Sequence, residues 1–374
     1  MLHLNQKLKS GTYTHKTKTP ELYLFITLIL IIFTTGLTAC DDPLSEDTGR
    51  EVATLLVANE GNFSDGNGSI TSFSPQSGEL VQERFQQVNG RPLAGIIQSI
   101  TVHDDRLYIV SNNINKIEVT HVETLESIAT IEMESDFAPA GFAVSPDGKG
   151  YVSHLNDGAV YVVDMEQFRV SDNRIATGQN PQEMRILDNR LYVVNNGFGY
   201  DNTITVIDTE HDQVADTWEV GAGPVTLKED SENRLWVVSN GRKAYDEEWN
   251  RDPENDVNGR IDVWDAANSE LLSTIETGGF PRAIALDETD ARAWVVNEEA
   301  VQRIDMNSYA LVEEAVIPRG FNGIGFSEVE NLFYLAYSAG YTQSGRAIMY
   351  DRQGMVVDSF STGIAPVDFH FMVD

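Results

Sequence analysis

Leu191–Arg234, LYVVNNGFGYDNTITVIDTEHDQVADTWEVGAGPVTLKEDSENR, separates into runs of β-branched and aromatic residues divided by Gly, Asn, Asp and Pro. The runs are Leu191–Val194, Thr203–Ile207, Val214–Val220 and Val225–Lys228, and their composition and length are those of strands bounded by turns. Polar and apolar residues alternate through Thr203, Ile204, Thr205 and Val206 before Asp208 and Thr209 open a turn. A strand built this way has two unlike faces. Nothing in the stretch has helical spacing, so it reads as a strand-turn-strand meander.

The same pattern recurs along the chain. An apolar run ending in Asn or a polar substitute returns at Thr54–Asn59, Leu107–Asn112, Tyr151–Asn156, Leu191–Asn196, Leu235–Asn240, Ala293–Glu298 and Leu332–Tyr337. A second run ending in Asp follows several of them, as in YVVD (161–164), TVID (205–208), IDVWD (261–265), Ile304–Asp305 and IMYD (348–351). A Gly-to-Pro turn precedes the next unit at Gly178–Pro181, Gly221–Pro224, Gly278–Pro281 and Gly363–Pro366. Units of about 40 to 60 residues, each of four short strands, stack radially into a propeller, whereas a solenoid needs shorter and more uniform rungs. The count of copies predicts an all-β, seven-bladed β-propeller of four-stranded antiparallel blades. The first unit begins on its second strand (TLLVAN), and Pro366–Val373 (PVDFHFMV) has the pattern of a first strand. The tail is therefore expected to complete the first blade and remove the open edges.

Ahead of the repeats, Lys7, Lys9, Lys16 and Lys18 precede an apolar run from Leu22 to about Gly36, then Leu37, Thr38, Ala39 and Cys40. Roughly 15 apolar residues fall short of the ~20 that span a bilayer, and the basic flank and small-residue end are those of a secretory signal. The L-T-A-C ending resembles the bacterial lipobox, which implies cleavage before Cys40 and a diacylglycerol on its thiol. Cys40 is the only cysteine, so no disulfide can form within the chain. The expected organisation is a signal peptide over 1–39, a lipidated flexible tether over 40–51 and a propeller over 52–374. Lipidation would place the protein outside the cytoplasm; Asp41 and Asp42 after the lipid fit inner-membrane retention under enterobacterial sorting rules and surface display in Bacteroidetes-like lineages, and the outer membrane or cell surface is the expected location.

The chain carries 58 acidic against 26 basic residues, a net charge of −32. Such a field repels nucleic acid phosphates, which excludes a nucleic acid role.

The Tyr-Val-x-Asn, Val-x-Ile-Asp and Val-Gly-x-Gly-Pro landmarks of 191–224 resemble the YVTN repeat of bacterial YncE-like seven-bladed propellers. LLVANEGNFSDGNGSITSFSP (55–75) is similar to the first blade of surface propeller lipoproteins of Bacteroidetes, whose BtuG-like members capture cobalamin and pass it to a TonB-dependent outer-membrane transporter. The resemblance implies cobalamin or a similar nutrient as ligand, a TonB-dependent transporter as partner, and a monomer apart from that partner.

In an up-and-down meander, the connection from second to third strand and the connection to the next blade share one side. The longest loops belong to these two classes: 60–68, 197–202, 241–259 and 338–345 to the first, with 91–98, 135–141, 179–182, 280–282 and 319–322 in the second. Long loops on a rigid scaffold are where binding sits. Candidate ligand contacts there are Phe63, Asn112, His154, Phe198, Tyr200, Tyr245, Trp249, Arg282, Arg319, Phe321 and Tyr341. Flat side chains beside amides and a few cations suit a bulky, partly polar ligand, although such aromatics also pack their own loops and Asn also caps turns.

No catalytic constellation emerges. No G-x-S-x-G elbow, Walker loop or mature-chain Cys nucleophile other than the anchor is present, and no His pair after Cys40 has ligand spacing. Oxygen-bearing side chains alternate at Asp252, Glu254 and Asp256 in the manner of a calcium loop, but Val257 stands where the helix-loop pattern wants Gly. A flexible acidic loop is the simpler account. The alternatives to ligand capture are a lactonase-like or quinoprotein-like enzyme, which would need a channel cluster or cofactor sandwich that the sequence does not assemble, and a scaffold for adhesion or protein interaction.

Overall fold

Every apolar run that ends in Asn or its substitute becomes the second strand of a four-stranded antiparallel sheet, as in Arg190–Asn195 and Arg234–Ser239. The structure, a computed structural model, describes residues 50–373. The expected signal peptide, Cys40 and most of the tether lie outside the described residues. Seven such sheets follow one another as blades, and six of them take their strands in chain order from the centre outward. Blade 1 is the exception: Pro366–Val373 forms its innermost strand and pairs antiparallel with Val52–Asn59. The expected closure is thus present, and the ring has no open blade.

The burial pattern explains the sequence pattern. Second strands lie between neighbouring sheets and are covered on both faces, so Leu191–Asn195 is buried throughout and reads as one apolar run. Outer strands are covered on few positions: in Gln213–Glu219 only Trp218 is buried, where it stacks on Trp264 of blade 5 with ring centroids 4.5 Å apart.

One level of the ring is notable for size. Tyr108, Tyr151, Tyr192, Trp236, Trp294 and Tyr334 occupy equivalent second-strand positions in blades 2 to 7, with Leu56 in blade 1, and all are at most 1% exposed. Their polar tips are satisfied where they reach acids: the Tyr151 hydroxyl donates to Asp212 (2.6 Å), Trp236 Nε1 to Asp230 (2.8 Å) and the Tyr334 hydroxyl to Glu330 (2.7 Å).

The motif's polar landmarks have mechanical roles. Asn195 Nδ2 donates to Thr203 (3.0 Å) and Thr205 (2.9 Å) on the third strand, and Asn59 Nδ2 donates likewise to Thr71 (3.0 Å). A Cβ on Gly178 would come within 2.7 Å of the Asn195 side chain, and one on Gly363 within 2.8 Å of Asn59. In blades 4 and 1 the glycine before the inner strand is therefore set by close approach to the Asn it faces.

Blade 1 departs from the repeat. Its outer strand is only Leu80–Val81, and a short helix, Arg84–Asn89, takes over and buries Phe85 between blades 1 and 2.

Candidate functional site

Six aromatic side chains are exposed among the described residues: Phe63, Phe198, Tyr200, Tyr245, Trp249 and Tyr341. All six lie on connections between second and third strands, in blades 1, 4, 5 and 7, and so on one face of the ring.

These loops are internally braced. In blade 4, the Asp201 carboxylate accepts from the Gln179 N–H (2.7 Å), the Asn202 N–H (2.7 Å) and the Thr203 hydroxyl (2.6 Å), fixing Gly197–Tyr200 above it. The blade 5 excursion, 240–259, is held by bridges Arg242 to Val257 and Tyr245 to Arg251. Asp246 accepts from the N–H groups of Glu248 and Asn250, both at 2.9 Å. The Asn250 side chain leads in holding its pKa below the usual carboxylate value. The two loops meet where Gly199 lies against Gly241 and Arg242, and the Arg242 guanidinium sits 4.5 Å over the Tyr200 ring.

Phe198 and Trp249 are the most exposed aromatics, at 77% and 83%, and both have left-handed backbone, with φ of 52° and 64°. A bulky residue there carries strain of about 1–3 kcal/mol, which persists only where the surroundings impose it. Here the bracing imposes it, and the outcome is two large apolar side chains directed into solvent.

Several cations of this face lie over blades 5 to 7. Lys243 and Arg282 share the Glu298 carboxylate (2.5 and 3.4 Å), and Lys243 also lies 5.0 Å over the Phe280 ring. Arg319 is 3.7 Å over Tyr337 and 5.6 Å over Phe321. Tyr341 and Phe63 are joined through Asn62, whose Nδ2 donates to the Tyr341 carbonyl (2.7 Å). Burial raises the Glu60 pKa, and the Glu60 charge leads in raising that of Tyr341, so the two side chains are neighbours at the seam of blades 7 and 1.

Three residues expected at the surface do other work. Phe321 is 4% exposed, because the turn that presents it folds its ring between blades 6 and 7, edge-on to Tyr350. Asn112 Nδ2 donates to the Pro139 carbonyl (2.8 Å) and ties blade 2 to blade 3. His154 is 8% exposed and tilted on Phe137 at 4.1 Å, and burial lowers its pKa. It forms the floor of a depression and is not a projecting contact. Asp252, Glu254 and Asp256 do not gather: both Asp256 oxygens take Arg251 (2.8 and 2.9 Å), one also takes the Ala244 N–H (2.7 Å), and Asp252 accepts from Asn255 (2.7 Å). The Arg251 hydrogen bonds, leading the causes, hold Asp256 at a pKa of about 2. Among the described residues, no group of three His, Cys, Asp or Glu side chains could hold a metal.

The depression over blade 3 was not expected. Two adjoining hollows of about 870 and 730 Å³ share Asn156, Asp157 and Arg174; one reaches Phe137 and Tyr161, the other Phe198. They exist because blade 3 has only Leu155–Gly158 between its second and third strands, while the 196–202 loop of blade 4 stands beside it. Each hollow has the size of a small-molecule site.

A seven-bladed propeller with one braced, aromatic-rich loop face is the class this architecture defines. The chain belongs to the DUF5074 family, described as a domain of unknown function, whose model matches residues 53–242. No curated protein matches the chain in sequence. Similar solved structures include a quinoprotein alcohol dehydrogenase-like protein of Bacteroides thetaiotaomicron, with 10% identity over 85% of this chain and 78% of that one and a TM-score of 0.65. Hydrazine synthase of Kuenenia stuttgartiensis shares 14% identity over 74% of this chain and 93% of that one, with a TM-score of 0.56. The computationally designed Ika8 protein shares 14% over 83% and 91%, with a TM-score of 0.55. At such identities the likeness is one of fold.

Proposed function

We propose that this protein is a lipid-anchored, extracytoplasmic propeller that captures a bulky, partly planar nutrient on its loop face. Cobalamin, or a molecule of its size and mixed polarity, is the ligand this reading favours, with delivery to a TonB-dependent outer-membrane transporter. The observation that carries the reading is the confinement of all six exposed aromatics to one face, two of them held in strained backbone. Rigid aromatics bury area on binding at little entropic cost, and the hollows over blade 3 offer room beside them. The lipobox-like ending at Cys40 and the likeness of 55–75 to Bacteroidetes surface propellers support the anchor and the ligand class.

The test is calorimetric titration of the protein with cyanocobalamin, paired with a melting scan. Saturating binding should raise the melting temperature, because a ligand at about 100 times its Kd adds about 2.7 kcal/mol to the native state. Neither heat nor a shift with cyanocobalamin would discard that ligand. Hydrolysis of a lactone panel under the same conditions would favour the enzyme reading instead.

A further inference from the structure

The inner strands of all seven blades enclose a central channel of about 610 Å³, and its middle level can be read from strand register. Residues paired across from the large buried side chains share their level and sheet face. Arg185 pairs with Tyr192 in blade 4, Lys228 with Trp236 in blade 5, and His370 with Leu56 in blade 1. Ala143, Ala285 and Gly325 hold the same level in blades 3, 6 and 7, and Ala143 lines the channel beside Arg185 and Lys228.

Two cations on adjacent inner strands are unusual in a chain of net charge −32. Most other cations among the described residues are paired with acids, as Arg352 is with Asp287 and Arg234 with Asp230. Arg185 and Lys228 form no salt bridge among the described residues; the Arg185 charge opposes the rise that burial gives the pKa of Glu229, and the Arg185 Nε is buried without a hydrogen-bond partner. A guanidinium with an unused N–H and an ammonium lining one channel from neighbouring blades are the donor types that recognise a small oxyanion, the planar fork gripping two oxygens while the ammonium adds charge.

The rest of the lumen sets the ligand's size. Glu183 and Asp368 stand one level nearer the loop face and line the same channel. Their charge turns a polyanion away from the cations below, while an anion of one or two charges can pass. Arg282, also on the lining, is engaged by Glu298. We infer that the middle of the channel is a binding site for a small oxyanion, a carboxylate or an inorganic oxyanion, held by Arg185 and Lys228. The site is separate from the aromatic loops and does not depend on the nutrient-capture reading.

The experiment uses the full chain crystallised in selenate, with diffraction recorded at the selenium edge, and calorimetric titration with phosphate and with acetate at fixed ionic strength. The expected result is an anomalous peak between Arg185 and Lys228, with at least tenfold weaker binding of the preferred anion by Lys228→Gln. Which anion releases more heat distinguishes an inorganic source from a carboxylate. No peak at that position, or unchanged affinity in Lys228→Gln, overturns the assignment. Should Lys228→Gln not fold, the wild-type crystal decides alone. Cyanocobalamin titration of Lys228→Gln separates the two proposals, since the loop-face reading expects no change.

Discussion

Truncating the two aromatics of the blade 5 excursion separates recognition from stability. Trp249 is 83% exposed and Tyr245 49% exposed. Removing a fully buried aromatic costs about 3–5 kcal/mol, so scaling by the covered share leaves less than about 1 kcal/mol for Trp249 and about 2 for Tyr245. The Tyr245 share includes the Arg251 guanidinium 5.3 Å over its ring. Both losses fall on a loop that keeps its Arg251–Asp256 pair and its Arg242–Val257 bridge, away from the contacts between blades. The ring's melting temperature should therefore fall by a few degrees at most. Ligand capture should suffer far more, because a central aromatic contact contributes about 2 kcal/mol or more, a roughly 30-fold change in Kd. The assay is calorimetric titration of parent and Trp249→Ala/Tyr245→Ala with cyanocobalamin. Met355→Ala, exposed at the far end of blade 7, serves as a control expected to bind like the parent. Equal Kd for parent and double variant, with both folded, would remove the excursion from the site.

Other perturbations probe the scaffold and its location. Arg352→Met should cost about 3–5 kcal/mol in urea unfolding, since it strands the fully buried Asp287 carboxylate that now takes Arg352 Nε (2.5 Å) and Nη2 (2.7 Å). Adding Asp287→Asn should recover part of that, and a loss under about 1 kcal/mol in the single variant would contradict the buried-charge argument. Burial lowers the His154 pKa, so below about 6.5 the unfolded chain takes up a proton that the native chain does not. Its contribution is present above that pH and is lost on acidification; His154→Gln should flatten the acid limb of stability against pH, and parallel curves for parent and variant would refute this. Cys40→Ser should abolish incorporation of labelled fatty acid, and retained label would overturn the anchor.

The architecture was legible because the landmarks of the repeat have mechanical jobs that recur from blade to blade. A second strand enclosed between sheets must be apolar on both faces; Asn59 and Asn195 reach the third strand, with a glycine making room for each, and Asn112 and Asn196 reach the next blade. These constraints are local and recur, so they survive in the text of the chain. The helix Arg84–Asn89 was not legible, since it arises where the outer strand of blade 1 stops at Val81 and Phe85 finds a gap between blades. At the site, residue type located the face but not each side chain's direction. Phe321 and Phe198 both stand beside glycines in turns of the same face, yet one ring is drawn between blades and the other, with positive φ, turns outward. The depression over blade 3 depends on the relative height of neighbouring loops, which no single loop discloses.

The latch of blade 1 also bears on biogenesis. Pro366–Val373 is made after every other strand described here, yet it supplies the hub side of the first sheet. Until it emerges, Val52–Asn59 waits with one edge of its backbone unmatched, a template for another nascent chain. A polypeptide cut short by these few residues would hold nearly all of its mass and still be an open coil of sheets, disposed to join its neighbours. A chaperone that kept the chain extended until its completion would spare it that fate.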